Sequence, residues 1–486
     1  MIRWFVGVLF AAALAGQAVS APKTDAELDA QVIQALVGFA RNAENWKAPS
    51  RARAVYEQIL DHYDTDNGTA RAGLGWKRVK DEWQVATPPD KLPKDAATPA
   101  QQKQVEDAWR LASKRVATLH RTLGLALDAE GHRARAVHHF ERALVFDPDD
   151  LDCHKALGHE ELDGFFGSPE QLAFVQRMRA IFAKAREIAE QSVEFEPVAT
   201  ASLPDELRKT GIAFSGARSK HVTYWHVGTA DEAAQCAIWN ARAVLLLKFL
   251  FGDDPTVARY LVASPVRWIA VLREPEQRAR LLEVSPVTLG GDSPGRARLV
   301  GGKSFTSRSG PAEWVRHDGH DGDHAVGQAT NRGTLVFNAG LGEGLVHTAT
   351  WLLCGTLHSS YARLAATQKG EREERSSDPD ESLRSLRAAI ATGEDWPLVQ
   401  VPRERSDNFR TAVRLKSWSF MTWLLARHPD RWVRLLVELG HQPRLPEEVA
   451  AVFEKVLERS VGEVETEWRE WARAGSRIGK ASGLPQ

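Results

Sequence analysis

Glu343 and His347 stand four residues apart in GLGEGLVHTATWLLC, Gly340 to Cys354, so on a helix both side chains fall on one face. A carboxylate and an imidazole in that relation can share one divalent ion, and His358 follows about three turns on. A second concentration lies upstream. RHDGHDGDHAVG gathers His317, Asp318, His320, Asp321, Asp323 and His324 in one glycine-rich stretch, read here as a loop. That density can hold zinc or calcium. Each feature also has a structural reading. Asp-Gly pairs make polar turns, and a histidine on an apolar helix is commonly a core residue bonded to a carbonyl or carboxylate.

Peptide hydrolysis on zinc asks for more than ligands. The H-E-x-x-H pattern places two histidines at i and i+4, with a glutamate between them that activates the bound water. With His347 as the first histidine, Thr348 falls at the glutamate and Trp351 at the second ligand. Threonine takes no proton from water near neutral pH, and an indole has no lone pair for a metal. No H-E-x-x-H occurs elsewhere in the chain. Other chemistries are also short of parts. GGKS, Gly301–Ser304, lacks the first glycine of a phosphate loop, and no G-x-S-x-G elbow exists.

These residues sit in a chain of 486, long enough for two or three domains. Its net charge of −1 gives no reason to expect nucleic acid as a partner. MIRWFVGVLFAAALAGQAVSA, residues 1–21, has Arg3, an apolar run from Trp4 to Ala15, and small residues at Ala18, Ser20 and Ala21. That is the pattern of a signal peptide, too short in its apolar run to span a bilayer. The chain is therefore expected to be exported, to a periplasm or beyond the cell, with no membrane span after cleavage. Cys153, Cys236 and Cys354 form no C-x-x-C pair. The 16 tryptophans fall mostly at helical spacing, so packing is expected of them before sugar binding.

Residues 117–150, ATLHRTLGLALDAEGHRARAVHHFERALVFDPDD, resemble the tetratricopeptide repeat, two antiparallel helices in 34 residues. Leu123, Gly124, Leu127, Ala136, Phe140, Ala143 and Pro148 carry the likeness; His120 replaces the first large aromatic. Leu157 and Gly158 suggest a second unit, and Ala52, Tyr56, Ile59 and Leu60 a weaker earlier one. Such repeats imply a concave surface for a protein or peptide partner.

Beyond residue 197 the order is strand, long helix, strand, helix, strand, helix, then a helical tail. This resembles the catalytic domain of gluzincin-type zinc metallopeptidases, over roughly residues 220–476. SWSFMTWLLARHPDRWVRLL and EVETEWREWA are similar to the clan's later helices, while TWLLCGTLHSSY has Cys354 where its later carboxylate belongs. The resemblance implies an α+β, mostly helical protein: a signal peptide at 1–21, helical repeats at 22–197, and a zincin-like domain at 198–486. It implies a peptidase fold without the standard site, hence a non-catalytic interaction protein with no cofactor. The competing expectation is a zinc hydrolase using Glu343, His347 and His358, or His317, His320, Asp323 and His324.

Overall fold

The computed structural model describes residues 21–88, 91–220, 222–252, 268–284, 287–288, 302–307, 310–316, 321–333, 339–357, 378–404, 411–440 and 445–484. The architecture is α+β and mostly helical. The chain divides into two compact units, Met1–Leu172 and Ala173–Gln486. That division falls inside a helix, not at the expected junction of residues 197 and 198.

In the first unit, helices α1 (Asp25–Asn45) and α2 (Pro49–His62) are followed by the short α3 (Gly68–Gly73) and a hairpin of β1 (Trp76–Val79) and β2 (Glu82–Val85). Then come α4 (Pro99–Ala129), α5 (Arg133–Phe146) and the short α6 (Leu151–Ala156). Thr24 caps α1 by accepting from the Glu27 amide, and Thr98 with Gln101 closes α4 in a capping box. Residues 117–150 fall on a hairpin of α4 and α5, turning at Gly131 with φ +83°. Leu123, Leu127, Ala136, Phe140 and Ala143 are buried in it. A Cβ on Gly124 would come within 2.8 Å of the Phe140 ring, so glycine is what lets that ring lie on α4.

The second repeat does not continue. Its opening helix stops after Ala156, because Gly158 adopts φ +72°. The chain then forms a hairpin of β3 (Glu160–Leu162) and β4 (Phe165–Gly167), turning at Asp163 and Gly164, both at positive φ. The Leu157–Gly158 pair ends a helix here instead of packing two.

The second unit begins within α7 (Pro169–Glu190) and builds a seven-stranded sheet, in spatial order β5, β6, β7, β8, β11, β10, β9. Its strands are β5 (Glu196–Val198), β6 (Ser215–Arg218), β7 (Thr223–His226), β8 (Trp268–Leu272), β9 (Val287–Thr288), β10 (Gly302–Ser307) and β11 (Gly310–Arg316). β7, β8 and β11 run parallel, the outer pairs antiparallel. GGKS thus leads into a hairpin strand and opens no helix. Between these strands come α8 (Asp205–Lys209), α9 (Ala230–Phe251) and α10 (Pro275–Val284). Alternation sorts the two faces. Tyr224, Ile269 and Val271 pack with Ala233 and Ala237 of α9, while Trp225, Trp268, Ala270 and Leu272 pack with Leu207 of α8 and Leu281 of α10. Helix α9 is long and apolar enough to cross a membrane. Here it lies against β6 and β7, capped by Thr229 with Glu232 and ended by Gly252.

Helices α11 (Asp321–Gly333) and α12 (Ala339–Cys354) follow, then α13 (Pro379–Thr392), α14 (Thr411–Arg427), α15 (Trp432–Leu439), α16 (Pro446–Leu457), α17 (Val461–Ala472) and α18 (Arg477–Ala481). The strand expected at residues 334–338 lies outside the described residues. Helix α14 is buried from Val413 to Ala426, as only a central helix can be. The glycines before His347 have their reason here. A Cβ on Gly344 would stand 2.4 Å from the Ser417 carbonyl oxygen and 2.7 Å from its carbon. Backbone meets backbone at that crossing, and Ser417 donates to the Gly340 carbonyl at 2.6 Å.

Gly344→Ala should therefore separate α12 from α14 and cost about 3 kcal/mol, the upper range for overpacking. Gly462→Ala, in α17 with nothing within 4 Å of the added carbon, should be neutral or stabilise by up to ~1 kcal/mol. Thermal unfolding followed by tryptophan fluorescence separates the two. Equal midpoints would remove the close crossing from the account.

Candidate functional site

The residues proposed to do chemistry on α12 are all inside the protein. Glu343 and His347 are 7% and 1% exposed. Thr348, at the position of a water-activating glutamate, is fully buried, its hydroxyl 2.9 Å from the Gly344 carbonyl oxygen and 3.0 Å from the Thr422 hydroxyl. Trp351, at the position of a second ligand, sets its ring edge-on to Phe182 and Trp418, with centroids 5.1 and 5.3 Å apart. Three helices, α7, α12 and α14, meet through that indole.

The stretch read as a His/Asp loop is a helix in its second half. Asp323 and His324 lie on α11, and Ala325, Val326 and Ala329 are buried at its helical spacing. Gly322 admits the close approach of Trp239, whose ring a Cβ there would meet at 2.6 Å. Asp-Gly repeats read as turns in isolation, but packing against α9 carries the helix through them. His317, Asp318, His320 and His358 lie outside the described residues.

Asp323 is committed to structure. It accepts from Thr356 Oγ1 at 2.7 Å, and the Cys354 thiol also bonds to it. Burial, then the neighbouring Asp323 carboxylate, pushes that thiol far above its ordinary range. The pair ties the start of α11 to the end of α12. All three cysteines are free thiols. His324 and Gln328 do repeat the i, i+4 spacing, a pattern sequence reading passed over, but Ala325 stands where the base belongs. Among the described residues, no three His, Cys, Asp or Glu side chains gather as metal ligands. The residues at the motif positions do not fit a catalytic zinc.

An open polar cleft lies in the first unit. A cleft of about 360 Å³ is bounded by α1, α2, α4 and α5, and one hydrogen-bonded chain runs along it. Arg142 Nη2 donates to the Tyr63 hydroxyl at 3.0 Å. Tyr63 meets His120 Nε2 at 3.0 Å, His120 Nδ1 meets His139 Nδ1 at 3.2 Å, and His139 Nε2 meets Asp25 Oδ1 at 3.0 Å. The ends fix every proton between them. A guanidinium only donates and a carboxylate only accepts. The tyrosine proton therefore points to His120 Nε2, the His120 proton on Nδ1 points to His139, and the His139 proton on Nε2 points to Asp25.

Both histidines must then be neutral, and their surroundings agree. Burial, followed by His139, Arg142 and His138 nearby, pushes His120 down to about 3. Burial lowers His139 as well, against the pull of Asp25. Burial alone would raise Asp25, but hydrogen bonds from Arg135 and His139 hold it low. Sequence reading treated His120 only as a departure from the repeat. The available signal was four histidines, His62, His120, His138 and His139, that two stacked helix hairpins bring to one place.

Compared with known proteins, the chain matches no family model and no curated protein.

A buried neutral histidine makes stability depend on pH with a definite sign. The unfolded chain binds the His120 proton below about pH 6.5 and the folded chain does not until about pH 3, so stability falls with acid across that window. The loss attributable to His120 is about 2 kcal/mol between pH 6.5 and pH 5. His120→Gln should flatten the acid limb of a denaturation-midpoint profile. An unchanged limb would mean that His120 is not held neutral.

Proposed function

We propose that this is an exported, non-catalytic interaction protein. Its helical first unit binds a partner, and its second unit keeps a gluzincin-like arrangement of sheet and helices without the metal chemistry. One contrast carries this reading. Asp25, His62, Arg135 and His138, which line the first unit's cleft, are exposed, whereas Thr348 and Trp351 are packing residues of a helix crossing. A hydrolase needs an approachable ion and a base, and both motif positions on α12 are spent on holding helices together.

Export rests on residues 1–21, whose charge, apolar run and small residues suit cleavage near residue 22. The protein partner rests on the α4/α5 hairpin and its likeness to the tetratricopeptide repeat. Amino-terminal sequencing of protein recovered from outside the cytoplasm should start near residue 22. An uncut start at Met1 would remove the export reading.

The zinc-hydrolase alternative retains one point in its favour: Glu343 and His347 are both buried on one face of α12. Elemental mass spectrometry of the dialysed protein decides between the two. Substoichiometric zinc, with no cleavage of an unstructured protein such as casein, is the expected result, and His347→Ala should change the unfolding midpoint without touching any activity. Near one zinc per chain, lost in His347→Ala together with casein cleavage, would replace the scaffold by the hydrolase.

A further inference from the structure

The cleft of the first unit has two electrostatically different ends. On the α1 side, Asp25 accepts from Arg135 at 2.7 Å as well as from His139. Asp29 lies beside it, its carboxyl raised by burial and then by Asp25. On the opposite side, α2 brings His62, and α5 brings His138 and Arg142. Among the described residues, no carboxylate forms an ion pair with Arg142. Its guanidinium lies 5.4 Å from the centre of the Tyr63 ring and 5.7 Å from that of Phe146, and donates to the Tyr63 hydroxyl. Burial, then Arg142, lowers the His62 imidazole, with His138 adding to the repulsion and Asp61 opposing it. Three groups that can each be cationic thus face one another.

We propose that Arg142, His62 and His138 form an oxyanion-binding site, for a carboxylate or phosphate group, that tightens as the pH falls. This rests on the reading of the first unit as a binding surface and states what that surface recognises. The stacked guanidinium is held in place and keeps N–H groups beyond the one given to Tyr63. Each neutral histidine offers one N–H; each protonated one offers two and a charge. An anion between them offsets the repulsion that, after burial, Arg142 exerts on the His62 imidazole, so its binding takes up protons. The other groups do not compete. His120 and His139 are locked neutral in the chain from Tyr63 to Asp25, and Arg135 is paired with Asp25. Tyr63 stays protonated, raised by burial.

The test is a titration of the full chain with inorganic phosphate and, separately, with succinate, read from the imidazole NMR signals of ¹³C-histidine-labelled protein. Saturable shifts at His62 and His138 are expected, with both imidazoles titrating at higher pH in the saturated state. Affinity should rise ~10-fold between about pH 7.5 and pH 5.5. Arg142→Gln should weaken binding ~10-fold or more. His138→Gln, at an exposed position that leaves folding untouched, should remove about half of the pH dependence. Tyr63→Phe keeps the ring under Arg142 but removes its hydroxyl partner, and should weaken binding less than Arg142→Gln does. A response to only one anion would name the group recognised and still support the site. No saturation by either anion at tens of millimolar, or equal affinity in Arg142→Gln, would overturn it. Casein cleavage together with Arg142-dependent phosphate binding would sink the scaffold reading and leave this one standing.

Discussion

The second unit is organised by one contact, the crossing of α12 and α14 at Gly344 and Ser417, where no side chain fits between the backbones. Everything near it follows from that distance. Because the helices touch there, Ser417 can bond to the Gly340 carbonyl, and the Thr348 and Thr422 hydroxyls can meet one turn on. A further turn along α12, Trp351 fills the widening gap against Trp418 and Phe182. Small, then polar, then large side chains grade the separation along one seam. A zinc site at Thr348 and Trp351 would need a void where this seam has none.

Helix α14 pays for its central place with buried charge. Lys416 is fully buried, 2.6 Å from Asp395 and 2.5 Å from Glu465, with its ammonium 3.7 Å from the centre of the Trp468 ring. Burial pulls its titration down while the two carboxylates pull it back up. Arg469 joins the same carboxylates, so Asp395 has two cationic partners. Such a cluster adds little net stability, because desolvation offsets attraction. What it does impose is register: α14, α17 and the Asp395 segment cannot slide without leaving a charge unpaired in the interior.

The sequence made legible whatever depends on local chemistry. Helix α9 runs from a Thr229–Glu232 capping box to Gly252, and both lie in the local stretch TADEAAQCAIWNARAVLLLKFLFG. Strand β8 and helices α14 to α17 could likewise be read from apolar runs and spacing. The hairpin of α4 and α5 followed from small and large residues at repeat positions. What could not be read depends on partners distant in sequence. DGDHAVG, residues 321–327, is helical where α9 presents Trp239 to Gly322, more than eighty residues away. The glycines before His347 looked like the start of a metal helix, and they answer instead to Ser417. Gly158 fits both a close helix contact and a helix stop, and only the following Asp163–Gly164 turn decides for the stop. The Tyr63–His120–His139–Asp25 chain joins α1, the end of α2, α4 and α5, so no single stretch carries it.

That chain also fixes what acid can do to this protein. A proton added to His120 or His139 sets two donors against each other inside the unit, so protonation there opposes folding. In the second unit, His428 is held down to about 4 by burial and by Arg427, Arg459 and Arg431, and has the same sign. At the exposed rim, burial and Arg142 also lower the His62 imidazole, so charging it opposes folding too, but it breaks no bond of the chain. Acid thus strengthens the anion-attracting rim of the cleft while it weakens the interior that positions Arg142. The two tendencies overlap only where the rim histidines are charged and the buried ones are still neutral. Burial holds His120 down to about 3, so the interior chain persists well into acid, and when it takes up a proton the support of the cleft is lost.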